Sequence, residues 1–333
     1  MEKIQSKPII ALHIIHGMME HSARYEPFAA WLASRGIAVY MADLPGHGTA
    51  AASQDELGHI AVDNGWDEIL ESVRKQQDQI RAAHPGLPVV MLGHSFGSIV
   101  ARSFVQCYAR DYPLHGLILS GAMQLPAALL KTGLGLAALQ KTAYGIRHRS
   151  RLMIALGHGQ YAKHFSPKRT GFDWLSSNPA VVDAYLADPL CGYACTLGYY
   201  TNFFHALLDT WKCINIHKMP PGMPVLFMGG QSDPAIRFGK DTHMLATKYQ
   251  LCGVRRVEIK LWENGRHEML NELNREEVWQ FVLDFVLFQS SRVSGFQGSK
   301  VPGFQSFRVP GFQGSRVPGF QSFRVPEFQE SIE

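Results

Sequence analysis

Ser95 stands where a serine can act as a nucleophile. It lies in the stretch VVMLGHSFGSIV, with Gly93 and Gly97 on either side, between an apolar run and a helical pattern. A serine between two such glycines, directly after a strand and directly before a helix, is typical of a nucleophile elbow. Strand and helix approach so closely there that Cβ atoms do not fit at the flanking positions. The pattern predicts a catalytic serine, and the alternative is a simple tight turn.

A serine hydroxyl is a weak nucleophile at neutral pH, so it needs a histidine base and a carboxylate that orients the histidine. In the elbow context both follow the serine, in the order Ser, Asp, His. Asp233 follows the apolar run PVLFMGG, and His267 follows RVEIKLW and precedes the last helical pattern. We therefore expect Ser95, Asp233 and His267 to form a catalytic triad.

Other acids and histidines fit this order less well. Asp209 falls inside a region without strands, and Asp241 opens a helix. His94 adjoins the serine and is expected to point away from its hydroxyl, whereas His16 and His47 precede it in the chain. Of the 15 histidines, one lies in the expected loop.

Two backbone N–H groups are expected to stabilise the oxyanion that forms when the serine attacks. One belongs to Phe96, the residue after the nucleophile, at the positive end of the following helix. The other comes from the loop after the first strand, HGMMEHSARY, where it is the N–H of Met18. We expect His16 and Gly17 to shape this loop rather than to react.

Apolar runs alternate with helical patterns along most of the chain, which indicates a parallel sheet covered on both faces. The predicted strands span residues 9–15, 38–42, 89–93, 116–120, 225–230 and 256–262. The predicted helices span residues 25–35, 64–83, 95–110, 239–251 and 274–288. The sequence thus predicts an α/β fold with a doubly wound, mostly parallel sheet.

The alternation stops at residues 122–215, which show helical patterns and no clear strand, so we expect an inserted helical cap. The domain that contains the sheet would then comprise residues 1–121 and 216–291. From Pro113 through Phe172 there is no Asp or Glu but several Lys and Arg, which suggests attraction to anionic lipid or to a phosphate head group. The alternative is a solvated set of helices. The leucines expected to line an acyl tunnel or to dip into a membrane are Leu125, Leu129, Leu130, Leu134, Leu136 and Leu139, and their alternative role is ordinary packing.

Residues 292–333 differ in kind from the rest. From Gly295 the chain repeats an eight-residue unit such as GFQGSKVP, with a proline in each unit. Four such units cannot enclose a core, so we expect a disordered, low-complexity tail.

Composition excludes several classes of protein. The 333 residues are 46% hydrophobic, and a net charge of +4 does not require nucleic acid as a partner. Five scattered cysteines argue against a disulfide framework and a zinc site and favour a reducing compartment, so we expect a cytoplasmic protein. The lysines and apolar residues at the start look like a secretion signal, but His13 and the lack of a cleavage site favour a strand. No apolar stretch approaches the roughly 20 residues that cross a bilayer.

In order along residues 9–288, the chain contains HGMMEHSARYEPFAAWL, ADLPGHG, LGHSFGS, DPLCG, GGQSDP and GRHEMLNE. These motifs resemble the monoglyceride lipase and lysophospholipase branch of the α/β-hydrolase fold, a group often labelled serine-aminopeptidase-like. The resemblance implies a triad of Ser95, Asp233 and His267, oxyanion amides at Met18 and Phe96, and a helical cap that acts as an apolar lid. It also implies hydrolysis of glycerol or lysophospholipid esters that carry one acyl chain, without metal or organic cofactor.

Three features depart from that family. Its members carry a strand hairpin before the first strand, which this chain lacks, so the sheet is short or the start codon is misassigned. The octapeptide tail has no counterpart, and Met18-Met19 replaces smaller residues, which narrows the acyl pocket. Two other functions stay open: a peptidase of the same fold, and a catalytically silent scaffold that uses the tail to bind partners.

Overall fold

Six parallel strands form a single sheet in the computed structural model, which describes residues 7–293. The strands are β1 (Ile10–Ile15), β2 (Ile37–Met41), β3 (Val89–His94), β4 (Gly116–Ser120), β5 (Val225–Gly230) and β6 (Val257–Trp262). Their order across the sheet is β2-β1-β3-β4-β5-β6, and every neighbouring pair is parallel. The predicted doubly wound α/β fold is confirmed.

Ten α-helices accompany the sheet in the described part of the chain. They are α1 (Glu26–Ala33), α2 (Gly65–Ala83), α3 (Phe96–Tyr108), α4 (Ala127–Tyr144), α5 (Arg151–Leu156), α6 (Pro179–Ala187), α7 (Leu197–Thr210), α8 (Cys213–Ile216), α9 (Lys240–Leu251) and α10 (Arg275–Val293). Helices α4 to α8 and a 3-10 helix, His158–His164, fill the segment between β4 and β5. We call this segment the insertion.

Side chains of successive strand residues point to opposite faces of the sheet, and each face is buried by its own helices. On one face Ala11 and Ile15 share a core with residues of α2, α3, α7 and α9. On the other face Ile10, Leu12 and Ile14 share a core with residues of α1 and α10. Because both faces are covered, the central strands β1, β3, β4 and β5 read as continuous apolar runs.

Because all the strands are parallel, the carboxyl ends of β1, β3, β5 and β6 lie at the same edge of the sheet. The chain runs from β1 outward to β2 and then returns to β3 on the other side of β1. A reversal of this kind opens a crevice beyond the carboxyl ends of the two strands, where α/β proteins bind ligands. The loops that hold Met18 and Ser95 lie at this point.

Some predictions concern residues outside the described range or differ from the structure. No strand precedes β1 in residues 7–9, and the octapeptide tail lies outside the described residues. The sequence predicts no disulfide framework, but Cys213, at the start of α8, is bonded to Cys252, just after α9. Sequence spacing missed this pair because 39 residues separate two cysteines that the fold brings together. No helix in residues 7–293 is both long and apolar enough to cross a membrane.

Candidate active site

Ser95 occupies the sharp turn between β3 and α3. Its φ of 51° lies in the left-handed region, a conformation that costs on the order of 1–3 kcal/mol and persists only when the surroundings impose it. A Cβ on Gly97 would lie 2.2 Å from the Ile15 carbonyl oxygen, and one on Gly93 would lie 2.3 Å from the Gly97 oxygen. The flanking glycines are therefore required by the close approach of backbones.

Asp233 and His267 form a buried pair in the loops after β5 and β6. His267 Nδ1 lies 2.7 Å from Asp233 Oδ2, and both side chains are almost fully buried. The other carboxylate oxygen, Oδ1, accepts from Ala235 N at 2.8 Å, which fixes the carboxylate. Since the carboxylate can only accept, Nδ1 carries the proton and Nε2 is left as the basic nitrogen. Burial alone lowers the pKa of His267, but the charge and hydrogen bond of Asp233 raise it above 6.5.

One cavity brings the predicted nucleophile and base together. Ser95 and His267 both line it, with Met18 and Phe96 beside them. Among the described residues the structure has no hydrogen bond between Ser95 Oγ and His267, and such bonds often tighten only when substrate is bound. Phe96 opens α3, so its N–H is one of the four at a helix start that have no partner in the helix. A Cβ on Gly17 would lie 3.3 Å from Ser95 Cβ, so the loop of Met18 passes directly against the serine.

The insertion contacts the loop that carries His267. The N–H of His267 donates to the Trp174 carbonyl at 3.3 Å, and the N–H of Glu268 donates to the Leu175 carbonyl at 2.7 Å. The Trp174 ring also lies 5.0 Å from the His267 ring. The position of the imidazole thus depends on residues of the insertion as well as on the sheet.

The rival acids and bases have other partners. Asp209 pairs with Lys212 at the surface, and the buried Asp241 pairs with Arg237. His94 lies 3.3 Å from Ser120 Oγ, and its ring is 4.8 Å from that of His267. Burial, followed by the neighbouring imidazole, lowers the pKa of His94 to about 3, so it stays neutral.

Three charged residues that the sequence did not single out support both loops. Arg24 donates two hydrogen bonds of 2.7 Å to the carboxylate of Glu268, and it also donates to Glu20. Glu20 Oε1 in turn accepts from Gly17 N at 2.5 Å. The side chains of this buried triad are 10% exposed at most. It ties the loop of Met18 to the loop of His267, and the i, i+4 spacing of Glu20 and Arg24 was the one signal in the sequence.

The leucines predicted to line an acyl tunnel lie on α4, apart from Leu125, which precedes it, and those on α4 divide according to the period of the helix. Leu125, Leu129 and Leu136 line the cavity. Leu134 does not line the cavity, although Thr132 does. Because the two are only two positions apart on the helix, their side chains lie on different sides of it. Leu130 is buried in the core and Leu139 is 70% exposed. The wall is completed by residues that the sequence analysis missed, which include Met123, Tyr161, Trp174, Tyr185, Tyr200, Phe203 and Phe204.

One group of side chains in the described range has the types and spacing to hold a metal ion. The ligand atoms of His21, Asp188 and Cys191 lie within 4.8 Å of one another. His21 Nε2 is already bonded to Asp188 Oδ2 at 2.8 Å, so these two groups satisfy each other without an ion. Their bond joins the loop after β1 to the insertion.

Known proteins match this chain over most of its length. A family described as serine aminopeptidase, S33, matches residues 6–274. Phospholipase YtpA of Bacillus subtilis is 26% identical over 82% of this chain and 93% of its own length. Human monoglyceride lipase is 26% identical over 80% of this chain and 78% of its own length. A carboxyl esterase from Bacillus coagulans, solved in complex with glycerol, has the same fold, with a TM-score of 0.78 over 86% of this chain and 91% of that chain at 23% identity.

Proposed function

Because the chain belongs to the serine aminopeptidase S33 family of α/β-hydrolases, we propose that it is a serine hydrolase that cleaves carboxylic esters of lipids with a single acyl chain. The observation that carries the proposal is the buried pair of Asp233 and His267, which meets the strained Ser95 at one mostly apolar cavity. Similarity to a phospholipase and to a monoglyceride lipase supports a lipid ester as the substrate.

In the proposed mechanism His267 Nε2 takes the proton of Ser95 Oγ as the oxygen attacks the ester carbonyl. The N–H groups of Met18 and Phe96 donate to the oxyanion, and each such donor typically contributes about 2.7–4 kcal/mol to transition-state stabilisation. His267 then gives the proton to the departing alcohol. His267 next takes a proton from water as the water oxygen attacks the acyl carbon, and returns it to Ser95 Oγ as the bond between that oxygen and the acyl group breaks and the fatty acid leaves.

The cavity wall favours an aliphatic acyl chain. Leu125, Leu129 and Leu136 come from one side, and Phe203 and Phe204 come from α7. Apolar surface of this kind contributes roughly 25 cal/mol for each Å² of chain removed from water. The substrate is therefore a fatty acyl ester rather than a short polar one.

A chain-length series of p-nitrophenyl esters, assayed beside monoacylglycerol and lysophosphatidylcholine, tests the proposal. We expect kcat/KM to rise with acyl length, and we expect Ser95→Ala to abolish both hydrolysis and labelling by a fluorophosphonate probe. Ser72→Ala, on α2, is the matched control and keeps full activity. A wild-type protein that neither hydrolyses these esters nor takes up the label would be a scaffold instead.

A peptidase is the alternative that the family description raises. An aminopeptidase needs a free carboxylate to bind the substrate's ammonium group. Glu20 and Glu268 line the cavity, but both are bonded to Arg24. We therefore expect no cleavage of a panel of amino-peptide substrates, and turnover of that panel would reverse the assignment.

We propose further that helices α4 and α5 contact anionic lipid surfaces. Leu129, Leu139 and Leu152 on these helices are exposed, as are Lys131 and Lys141 of α4. Neither lysine has an ion-pair partner among the described residues. Exposed apolar side chains and unpaired cations on the same helices are typical of peripheral membrane contact.

Two other cations of the acid-free stretch have acidic partners within the protein. Arg147 pairs with Glu56, and Arg169 pairs with Asp183. Binding to neutral and anionic vesicles measures the contribution of the unpaired lysines. The double variant Lys131→Glu/Lys141→Glu should lose the preference for anionic vesicles. The control Lys75→Glu, on α2, should keep it. Equal binding of the wild type to both kinds of vesicle would remove the electrostatic contribution.

A further inference from the structure

His16 follows β1 directly and is fully buried between two backbone groups. Its Nε2 lies 2.9 Å from Leu44 N, and its Nδ1 lies 2.8 Å from the carbonyl oxygen of Gly17. The proposed mechanism gives this imidazole no acid or base role. A buried histidine with both nitrogens bonded to backbone holds one part of the chain against another.

The two partners determine which nitrogen of His16 carries the proton. A backbone N–H can only donate, so Nε2 must accept from Leu44 and is unprotonated. A carbonyl oxygen can only accept, so Nδ1 is protonated and donates to Gly17. Burial lowers the pKa of His16 and outweighs the opposite effect of Glu20, which keeps the ring neutral. The imidazole is therefore held in the Nδ1–H tautomer.

The bond to the Gly17 carbonyl fixes the orientation of the next N–H. The Gly17–Met18 peptide is trans, as almost all peptide bonds are that do not precede proline. In a trans peptide the C=O and the N–H point in opposite directions. Once His16 holds the oxygen on one side, the N–H of Met18 is directed to the other side, and Met18 lines the cavity beside Ser95.

Glu20 restrains the preceding peptide, since its Oε1 accepts from Gly17 N at 2.5 Å. Two consecutive peptides are thus held by buried side chains. A hydrogen bond accepted by a carbonyl also polarises its peptide and strengthens the N–H as a donor.

We propose that His16 is a positioning residue that orients and polarises the Gly17–Met18 peptide so that the Met18 N–H donates to the oxyanion. This rests on the proposed function, in which that N–H is one of two oxyanion donors. His16 touches neither substrate nor Ser95 Oγ in this role. It acts through its protonated Nδ1, and the bond from Leu44 to Nε2 keeps the ring in the required tautomer.

Two substitutions separate the functions of the two nitrogens. The amide nitrogen of asparagine can take the place of Nδ1, so His16→Asn keeps a donor for the Gly17 oxygen. The amide oxygen of glutamine can take the place of Nε2, so His16→Gln keeps an acceptor for Leu44 and loses the donor to Gly17. The two variants are therefore matched controls for each other.

The readout is the ratio of kcat/KM for a p-nitrophenyl ester to that for its thionoester, in which sulfur replaces the carbonyl oxygen. Sulfur is larger and accepts hydrogen bonds poorly, so an intact oxyanion site strongly prefers the oxygen ester. We expect His16→Gln to lower kcat for the oxygen ester about 100-fold, the effect of a misplaced catalytic group, with KM nearly unchanged. The thionoester rate should fall far less, so the ratio collapses. His16→Asn should keep most of the ratio.

Equal losses on both esters, or equal behaviour of the two variants, would overturn the proposal, because general damage to the fold does not distinguish oxygen from sulfur. If His16→Gln does not fold, nitrogen-15 NMR of the imidazole in the wild type decides the matter. We expect the neutral ring with its proton on Nδ1, and we expect it to stay neutral at pH 6.5 because burial lowers its pKa. A proton on Nε2 would contradict the proposal. The NMR result does not depend on hydrolysis. A wild type that leaves both esters intact would instead refute the proposed function.

Discussion

Replacement of Arg24 by methionine tests how strongly the buried triad stabilises the protein. The guanidinium is 10% exposed and the carboxylates of Glu20 and Glu268 are each 4% exposed. Methionine keeps most of the length and apolar contact of the arginine but leaves two carboxylates in a poorly solvated place. Removing one partner from a buried ion pair typically costs about 3–5 kcal/mol. We expect the free energy of unfolding to fall by that amount, roughly a hundredfold to a few thousandfold in the folding equilibrium.

The matched control is Arg74→Met on the surface of α2. Arg74 also bonds two carboxylates, those of Glu71 and Asp78, but all three side chains are at least 33% exposed. Exposed pairs of this kind contribute little because water solvates the charges once they separate. We therefore expect Arg74→Met to leave the free energy of unfolding nearly unchanged.

Urea unfolding, followed by tryptophan fluorescence and circular dichroism, measures the free energy of unfolding of both variants. We expect the m-value, the slope of that free energy against urea concentration, to be the same in each. A third variant, Arg24→Met/Glu20→Gln/Glu268→Gln, removes all three charges and keeps amide donors and acceptors. It should recover most of the lost stability, since the cost of Arg24→Met lies in the unpaired carboxylates. If the neutral triple variant is as unstable as the single one, the cause is lost packing, and if Arg24→Met matches Arg74→Met, the triad contributes nothing measurable.

Further predictions concern the reaction itself. Asp233→Asn should lower kcat by about 10⁴, as loss of the orienting carboxylate does in such triads, and should leave the fold intact by circular dichroism. Because His267 must be neutral to accept the proton and its pKa is raised above 6.5, kcat/KM should fall with decreasing pH and reach half its maximum above pH 6.5; a midpoint below 6.5 would contradict this. Gly97→Ala places a Cβ 2.2 Å from the Ile15 carbonyl oxygen and should abolish labelling of the serine, whereas Gly86→Ala, where a Cβ meets nothing within 4 Å, should still be labelled. Leu136→Trp should fill part of the cavity and shift the best p-nitrophenyl ester to a shorter acyl chain, and an unchanged chain-length profile would place the acyl group elsewhere.

The four central strands, β1, β3, β4 and β5, were predictable because each is an apolar run that both faces of the fold bury. A residue that directly follows such a strand is then expected to lie at the carboxyl edge of the parallel sheet. Ser95 and Asp233 could be singled out in this way, since each comes just after such a run, and the glycines at 93 and 97 indicated the turn itself. His267 follows the half-exposed edge strand β6, and the order Ser, Asp, His indicated its place.

Features that depend on contacts between distant segments were not predictable in the same way. Arg24 and Glu268 are 244 positions apart, and nothing local to either indicates the bond. The disulfide of Cys213 and Cys252 was missed for the same reason. Leu134 lies outside the lining of the cavity, and the sequence alone does not reveal which side of α4 faces that cavity.

The bonds from the loop of His267 to Trp174 and Leu175 restrict how a long substrate can reach the serine. If the whole insertion swung away as a rigid body, it would take these two carbonyls from the backbone that holds the base, and the imidazole would lose its support at the moment of binding. Movement that admits a long substrate and keeps the imidazole in place must therefore leave Trp174 and Leu175 where they are. The part of the insertion around these two residues acts as a fixed wall.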